Sequence, residues 1–462
     1  MTTAIITVFV IGYLFIALES LTKVNKAAVA LIMGIICWTL LIMGADVYGT
    51  DLINNMSQLT DAGKQALLDK VEGFVSHDLF HEYLAEVCET VLFLLGAMTV
   101  VETVDSHGGF GFVKKTLYTP NPKALLWKVS VMTFFLSAVL DNMTTAIVMT
   151  MVLKNLIDDH GMRMKFAGIV IIAANAGGAF SPIGDVTTIM LWIGKFVSTT
   201  GIITGIFIPS LLCLVVPTLL ISFSLKGTIN APAVGDDAAE AKPLFKPAMQ
   251  NLILVLGVGG LMCVPAFHNL TGLPPFMGIL CVLSILWIAT EVIIFAHHND
   301  DPAYEAARVS SIIRKIDMPS VLFFLGILVA VDAVAATGSL AALGQWLDES
   351  VGNVFLVDSI IGVFSSVVDN VPLVASAMNM YPIADAGVYM QDGLFWELLA
   401  FCAGTGGSLL IIGSAAGVVV MGLEKISFIW YLKNFTLLAF SGYLAGILWY
   451  WFEKTVLVGI FA

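Results

Sequence analysis

The chain has 462 residues, of which 58% are hydrophobic and only 12% charged, with a mean hydropathy of +0.95. Ordinary soluble domains carry about 25% charged residues, so a soluble globular protein is excluded. The formal net charge of −13 argues against a nucleic-acid partner. Apolar runs long enough to cross a bilayer (about 20 residues) recur from end to end, and the chain reads as an all-α polytopic membrane protein.

In chain order, the apolar runs predict helices over 3–20, 27–44 and 83–104, with a polar insert over 45–80. The first run, from Ile5, lacks a basic leader and a clear cleavage site, so it reads as a retained helix. An amphipathic connector follows near 109–122, then a long run over 124–156, a helix over 166–194 interrupted near 175–184, and a helix over 202–224. Residues 226–247 are polar, hold Pro232, Pro243 and Pro247, and read as a linker between halves 1–225 and 248–462. The second half repeats the order: 249–267, 276–295, 319–336, a connector at 340–350, a run over 354–385, an interrupted helix over 396–421 and a last helix over 434–452. The six cysteines are scattered without metal spacing and read as packing residues.

Sequence offsets support an internal repeat. Gly96 to Gly326 is 230 residues, Asp141 to Asp369 is 228, and Gly177-Gly178 to Gly406-Gly407 is 229. The first register sets Glu102 on Asp332, and the last sets Gly184 on Gly413. Each half then has five spanning helices. An odd number makes the two repeats inverted relative to each other, as in many secondary transporters.

The runs 124–156 and 354–385 are expected to be re-entrant hairpins. With both dipping in and returning, only Lys64, Lys70, Lys195 and Lys454 of the 21 basic residues fall on one side. With both crossing, the bias disappears. The positive-inside rule therefore selects hairpins, with both termini outside the cytoplasmic membrane.

Each hairpin carries Asp-Asn in mid-run, Asp141-Asn142 and Asp369-Asn370. Charge at that depth is costly and is usually functional. Capping of the following arm is expected as well, but a serine would cap without burying a charge. Each tip pairs with an interrupted helix. The first runs Asn175-Ala176-Gly177-Gly178-Ala179-Phe180-Ser181-Pro182-Ile183-Gly184-Asp185-Val186-Thr187-Thr188, and the second Gly404-Thr405-Gly406-Gly407-Ser408 through Gly413-Ser414. Carboxylates, hydroxyls and freed carbonyls form a hard-oxygen set suited to a small hard cation such as Na⁺. Asp185 could also cap the half-helix after Gly184, and the hydroxyls could bond within their own helices. Glu102 and Asp332 match near helix ends and are secondary candidates, the alternative being carboxylates that reach toward the interface.

These motifs as a set resemble the NhaD-type Na⁺/H⁺ antiporters of the broad ion-transporter superfamily, over nearly the whole chain. The resemblance implies ten helices plus two hairpins, a homodimer, and elevator-like movement of a transport domain against a scaffold. It implies function for Asp141, Asn142, Asn175, Asp185, Thr187, Thr188, Asp332, Asp369, Asn370, Ser408 and Ser414. Thr405, Ser181 and Thr144 stand beside them in the same motifs. The second half departs from the first: Ser414 replaces Asp185 and Pro372 replaces Thr144, so two ion sites need not be equivalent.

The reading is an ion exchanger, not an enzyme, with Na⁺ and H⁺ as partners, Li⁺ as a further candidate, the bilayer around it, and no resident cofactor. Na⁺ and H⁺ compete for buried carboxylates, and an empty, charged site is too costly to carry across hydrocarbon. One rival is a carboxylate symporter on the same fold, which two tip acids would disfavour. The other is an intramembrane aspartyl protease, which needs two facing aspartates.

Overall fold

The computed structural model describes residues 1–17, 22, 24–44, 79–117, 119–225, 227, 229, 244–297 and 302–457. The expected polar insert, with Lys64 and Lys70, lies outside the described residues apart from its last two positions. So does most of the linker 226–247.

The helices are α1 (Thr2–Ala17), α2 (Lys26–Met43), α3 (Phe80–Ser106), α4 (Gly111–Leu117), α5 (Pro122–Leu140), α6 (Asn142–Leu156), α7 (His160–Ala179), α8 (Val186–Ile193) and α9 (Thr199–Ser222). The second half adds α10 (Pro247–Thr271), α11 (Pro275–His297), α12 (Pro302–Ala307), α13 (Val309–Ile312), α14 (Met318–Ala336), α15 (Ser339–Ser350), α16 (Val354–Phe364) and α17 (Asn370–Met380). It ends with α18 (Leu394–Gly406), α19 (Ala415–Glu424), α20 (Phe428–Asn434) and α21 (Thr436–Phe452). Seven described helices are long and apolar enough to cross a membrane, or eight if α19 and α20, bent by 112°, count as one. This is a multi-pass helical membrane protein.

The chain divides into two compact units, and α3 and α17 each pass from one to the other. Unit 1 comprises Met1–Leu92, Asp317–Gly352 and Ala375–Pro382. Its centre is the crossing of α2 and α14. Lipid tails are as apolar as leucine, so such crossings are held by close packing rather than by hydrophobic transfer. A Cβ on Gly326 would sit 2.5 Å from the Leu31 amide nitrogen, and one on Gly34 would sit 2.9 Å from the Gly326 carbonyl oxygen. Trp38 Nε1 donates to the Val329 carbonyl across 2.8 Å beside this contact.

Unit 2 comprises Phe93–Ile316, Asn353–Val374 and Ile383–Ala462. Its core is the pair α7 and α18, which pack on each other. Residues Phe166 to Ala179 and Phe395 to Gly406 are buried on every side, the pattern of helices enclosed by others. Each long run is broken into two helices, α5 and α6 in the first and α16 and α17 in the second.

Several boundaries differ from expectation. Gly177 and Gly178 stay helical, and the first break lies at Phe180–Asp185, because Pro182 and Gly184 are what cannot continue the helix. The glycines instead admit neighbouring backbone. A Cβ on Gly177 would collide with the Phe134 carbonyl of α5, and one on Gly406 with the Gly362 carbonyl of α16. α17 ends at Met380, just before Pro382, so the helical part of the run expected over 354–385 stops short of its end. α20 is unexpected; Lys425 in the left-handed region (φ 51) and Ser427, accepting from the Trp430 amide, make its sharp corner.

Candidate functional site

α5 and α6 meet at Asp141, whose backbone is held at φ 80, ψ 157. That region is nearly reserved for glycine and costs an ordinary residue about 1–3 kcal/mol. The carboxylate secures it, with Oδ1 accepting from the Thr144 amide at 2.8 Å and Oδ2 from Thr144 Oγ1 at 2.7 Å. Capping by Asp141 is therefore real, and Thr144 serves it. Asp369 is half-buried, and its Oδ1 accepts a long bond (3.4 Å) from the Val371 amide.

The ends of α5 and α16 are held by matching contacts. Ser137 Oγ donates to the Ala174 carbonyl of α7 at 2.6 Å, and Ser365 Oγ to the Ala403 carbonyl of α18 at 2.8 Å. These partners are 228 and 229 residues apart, the register read from the motifs. Ser181 Oγ, from the first break, donates to the Ala138 carbonyl at 2.5 Å. Tyr431 Oη, from α20, donates to the Ser408 carbonyl at the second break at 2.8 Å. Of these four carbonyls only that of Ser408 lies within a break, and there a tyrosine hydroxyl occupies it.

Several side chains converge on Asp185, which is buried. Asn142 Nδ2 donates to its Oδ2 at 2.5 Å, and Asn370 Nδ2 to its two oxygens at 3.3 and 3.4 Å. Oδ1 also accepts from the Thr187 amide at 2.9 Å and Thr187 Oγ1 at 2.8 Å, so Asp185 caps α8 as well. Asn142 also donates to Asn175 Oδ1 at 3.1 Å, and Asn175 Nδ2 reaches Ser408 Oγ and Ser414 Oγ, each at 2.9 Å. Asp141 lies within electrostatic reach of Asp185, and Asp185 within that of Asp369. Both tip asparagines and both breaks therefore meet in a single cluster around one carboxylate, where the motifs suggested two sites.

Other candidates lie elsewhere. Thr405 Oγ1 donates to the Phe401 carbonyl of its own helix, and Thr188 Oγ1 to the Asp185 carbonyl. Glu102 is half-buried in unit 2 and accepts from Ser106 at 3.4 Å. Asp332 is buried in unit 1, hydrogen-bonded to Asn379, with Glu86 and Tyr83 within electrostatic reach. Three buried acids were missed by sequence reasoning. Asp358 lies in α16; Glu397 pairs with Lys454 Nζ at 2.8 Å; Glu424 pairs with Arg163 Nε at 2.7 Å. Asp358 and Glu397 are lone acids in apolar runs, a signal the rule that picked out Asp141 also covers, whereas Glu424 is followed directly by Lys425.

Comparison with known proteins follows the same lines. Residues 13–397 match the family described as citrate transporter (CitMHS). Sodium/proton antiporter 1 of Arabidopsis thaliana is 42% identical, over 96% of this chain and 71% of its own length. Sodium/proton antiporter 2 of the same plant is 41% identical, over 96% and 97%. The Na⁺/H⁺ antiporter NhaD of Vibrio cholerae is 29% identical, over 96% and 90%. The chain belongs to the NhaD-type antiporter family. The crystal structure of the Alcanivorax borkumensis YdaH transporter shares the fold, with a TM-score of 0.53 at 13% identity over 92% of this chain and 99% of that one. The Asp185 cluster brings together one carboxylate, the amides of Asn142, Asn175 and Asn370, and the hydroxyls of Thr187, Ser408 and Ser414.

Proposed function

We propose that this chain exchanges Na⁺ for H⁺ across the cytoplasmic membrane, with Li⁺ as a second cargo, working as a homodimer whose transport portion moves in elevator fashion. Its membership of a cation/proton antiporter family supports the reaction class. The observation that carries the site is the convergence of Asn142 and Asn370 on the Asp185 carboxylate. Without a cation, amide N–H groups offset that carboxylate. When Na⁺ arrives, the amides turn their oxygens to it, and Asn142, Asn370, Asp185 and the Ser408 and Ser414 hydroxyls become its ligands. A proton on Asp185, with Asp141 and Asp369 nearby, neutralises the same place for the return leg. Neutral amides stabilise the bare carboxylate without cancelling its net charge, so the empty site does not cross.

Purified protein in vesicles tests this. An inward Na⁺ gradient should drive protons outward, read by an internal pH dye with the voltage clamped, and Asp185→Asn should abolish the signal. Vesicles that move no protons with Na⁺, Li⁺ or K⁺ would overturn the reading.

The rival is carriage of a carboxylate, which the name of the matching family invites. An anion site needs a cation to hold it, and arginine is the usual choice. Arg163 is paired with Glu424, Arg308 with Glu291 and Glu305, and Arg314 is exposed. With three acids at the site, the geometry favours a cation cargo. Uptake of labelled citrate by the same vesicles would favour the rival.

The sidedness rests on charge bias. Cysteines placed at 156–162 should react only from the cytoplasm in intact cells. Labelling from outside would exclude re-entrant hairpins.

A further inference from the structure

Asp358 stands in the middle of α16, in the run Val354-Phe355-Leu356-Val357-Asp358-Ser359-Ile360-Ile361. It is 0% exposed, and neither carboxyl oxygen has a hydrogen-bond partner. α16 packs on α18 and α21. The ionisable groups within electrostatic reach are Cys402 of α18 and Tyr443 and Tyr450 of α21, with Glu397 of α18 and Cys213 of α9 behind them. Both tyrosine hydroxyls are committed elsewhere. Tyr443 Oη donates to the Ser359 carbonyl at 2.8 Å, and Tyr450 Oη to Glu397 Oε2 at 2.7 Å. Glu397 in turn holds the nearby cation, Lys454. An unpaired carboxylate in such surroundings is far costlier than the neutral acid.

The repeat register sharpens the point. The counterpart of Asp358, 228 residues earlier, is Ser130. Its hydroxyl donates to the Leu126 carbonyl within its own helix at 2.7 Å. Packing at this position is thus satisfied by a small neutral residue in the first half. The second half carries an acid here and a serine (Ser414) where the first half carries Asp185. The second half thus has an acid at Asp358 that the first lacks, and lacks the acid that the first carries at Asp185.

We propose that Asp358 is a second proton-carrying site, separate from the Asp185 cluster, loaded while α16 rests on α18 and α21 and emptied when that arm lifts and water reaches it. This rests on the Na⁺/H⁺ exchange reading. One proton joins the carboxylate on closing and leaves it on opening; no other bond is made or broken. α16 belongs to the same hairpin as Asn370, which donates to Asp185. Lifting the hairpin therefore uncovers Asp358 and withdraws Asn370 together, and this links proton traffic at one acid to cation traffic at the other.

The test is the proton count per Na⁺, from reversal potentials of wild-type, Asp358→Asn and Asp358→Ser protein in vesicles. Asparagine copies the shape of the neutral acid, and serine copies the first half. Both variants should lose one proton per cycle while keeping near-wild-type Na⁺ affinity at a fixed pH. Equal ratios in all three proteins would overturn this inference alone. A wild type without exchange would overturn the functional reading and this inference with it. If neither variant inserts, dicyclohexylcarbodiimide, which attacks protonated carboxyls, decides on the unmutated protein. Modification of Asp358 during Na⁺-driven turnover supports the site, and an unmodified Asp358 overturns it.

Discussion

Asn142 donates to Asp185 across 2.5 Å, a bond that ties the tip of the first hairpin to the break in α7–α8. Asn142→Ala removes this bond from the empty site and an amide oxygen from the occupied one. The lost ligand should weaken apparent Na⁺ affinity by roughly tenfold or more, the scale of one interaction with a charged group. Asn370→Ala, whose bonds to the same carboxylate are longer, should weaken it less. Na⁺ titration of vesicle exchange checks this, and unchanged affinity in both would remove the tip amides from the site.

Asp185 and Ser414 hold matching places but not matching duties. Asp185→Asn removes the charge on which both amides converge, so exchange should be lost. Ser414→Ala removes one hydroxyl from Asn175, which keeps Ser408, and should cost about tenfold or less in affinity. The reverse ranking would place the ion at the second break.

Asp141 keeps a backbone conformation that suits glycine. Asp141→Gly should therefore melt at or above the wild-type temperature in detergent, despite losing the Thr144 bonds, while exchange is crippled. Asp141→Asn should insert normally and also fail to exchange. A fully active Asp141→Gly protein would leave the acid with a capping role only.

Gly177→Ala and Gly406→Ala would each drive a methyl into the carbonyl of a facing helix. Overpacking costs about 1–3 kcal/mol even where side chains can yield, and backbone yields less. Both variants should show reduced monodisperse protein by fluorescence-detected gel filtration. Gly422→Ala, with open space around it, is the control.

Shared carboxylates make Na⁺ affinity depend on pH with a definite sign. Cation ligands must be deprotonated, so protons compete with Na⁺. Raising pH removes the competitor, and apparent affinity should improve about tenfold per unit for each competing proton. It should level off once the acids are ionised, where proton loading then slows turnover. A constant affinity over several pH units would mean separate ion pathways.

The sequence offsets already pointed to the order of elements, the paired tips and the two breaks, because glycine, proline and buried acid leave marks that spacing reveals. The meeting of Asn142, Asn370 and Asp185 was not legible. The partners are 43 and 185 residues apart, and only packing decides which tip faces which break. Thr405 shows the same limit in small: a hydroxyl in a motif may ligate or bond its own helix, and here it bonds its own helix. Asp358 was legible as a buried charge but lacked the asparagine neighbour that marked the tips. α20 fell between the expected helices 396–421 and 434–452, its corner depending on Lys425 and Ser427.

Asn175 finds both of its hydroxyl partners more than 230 residues further along the chain. At ribosomal speeds of about 5–20 residues per second, roughly 10–50 s separate synthesis of the amide from synthesis of Ser408. For that interval α7, meant to be enclosed on every face, has no α18 to enclose it. The newly made first half must be sheltered by the insertion machinery or by a transient companion helix. Biogenesis of this transporter is therefore set by its last third, and a truncation before α18 should be cleared by membrane quality control even though five-sixths of the chain has been made.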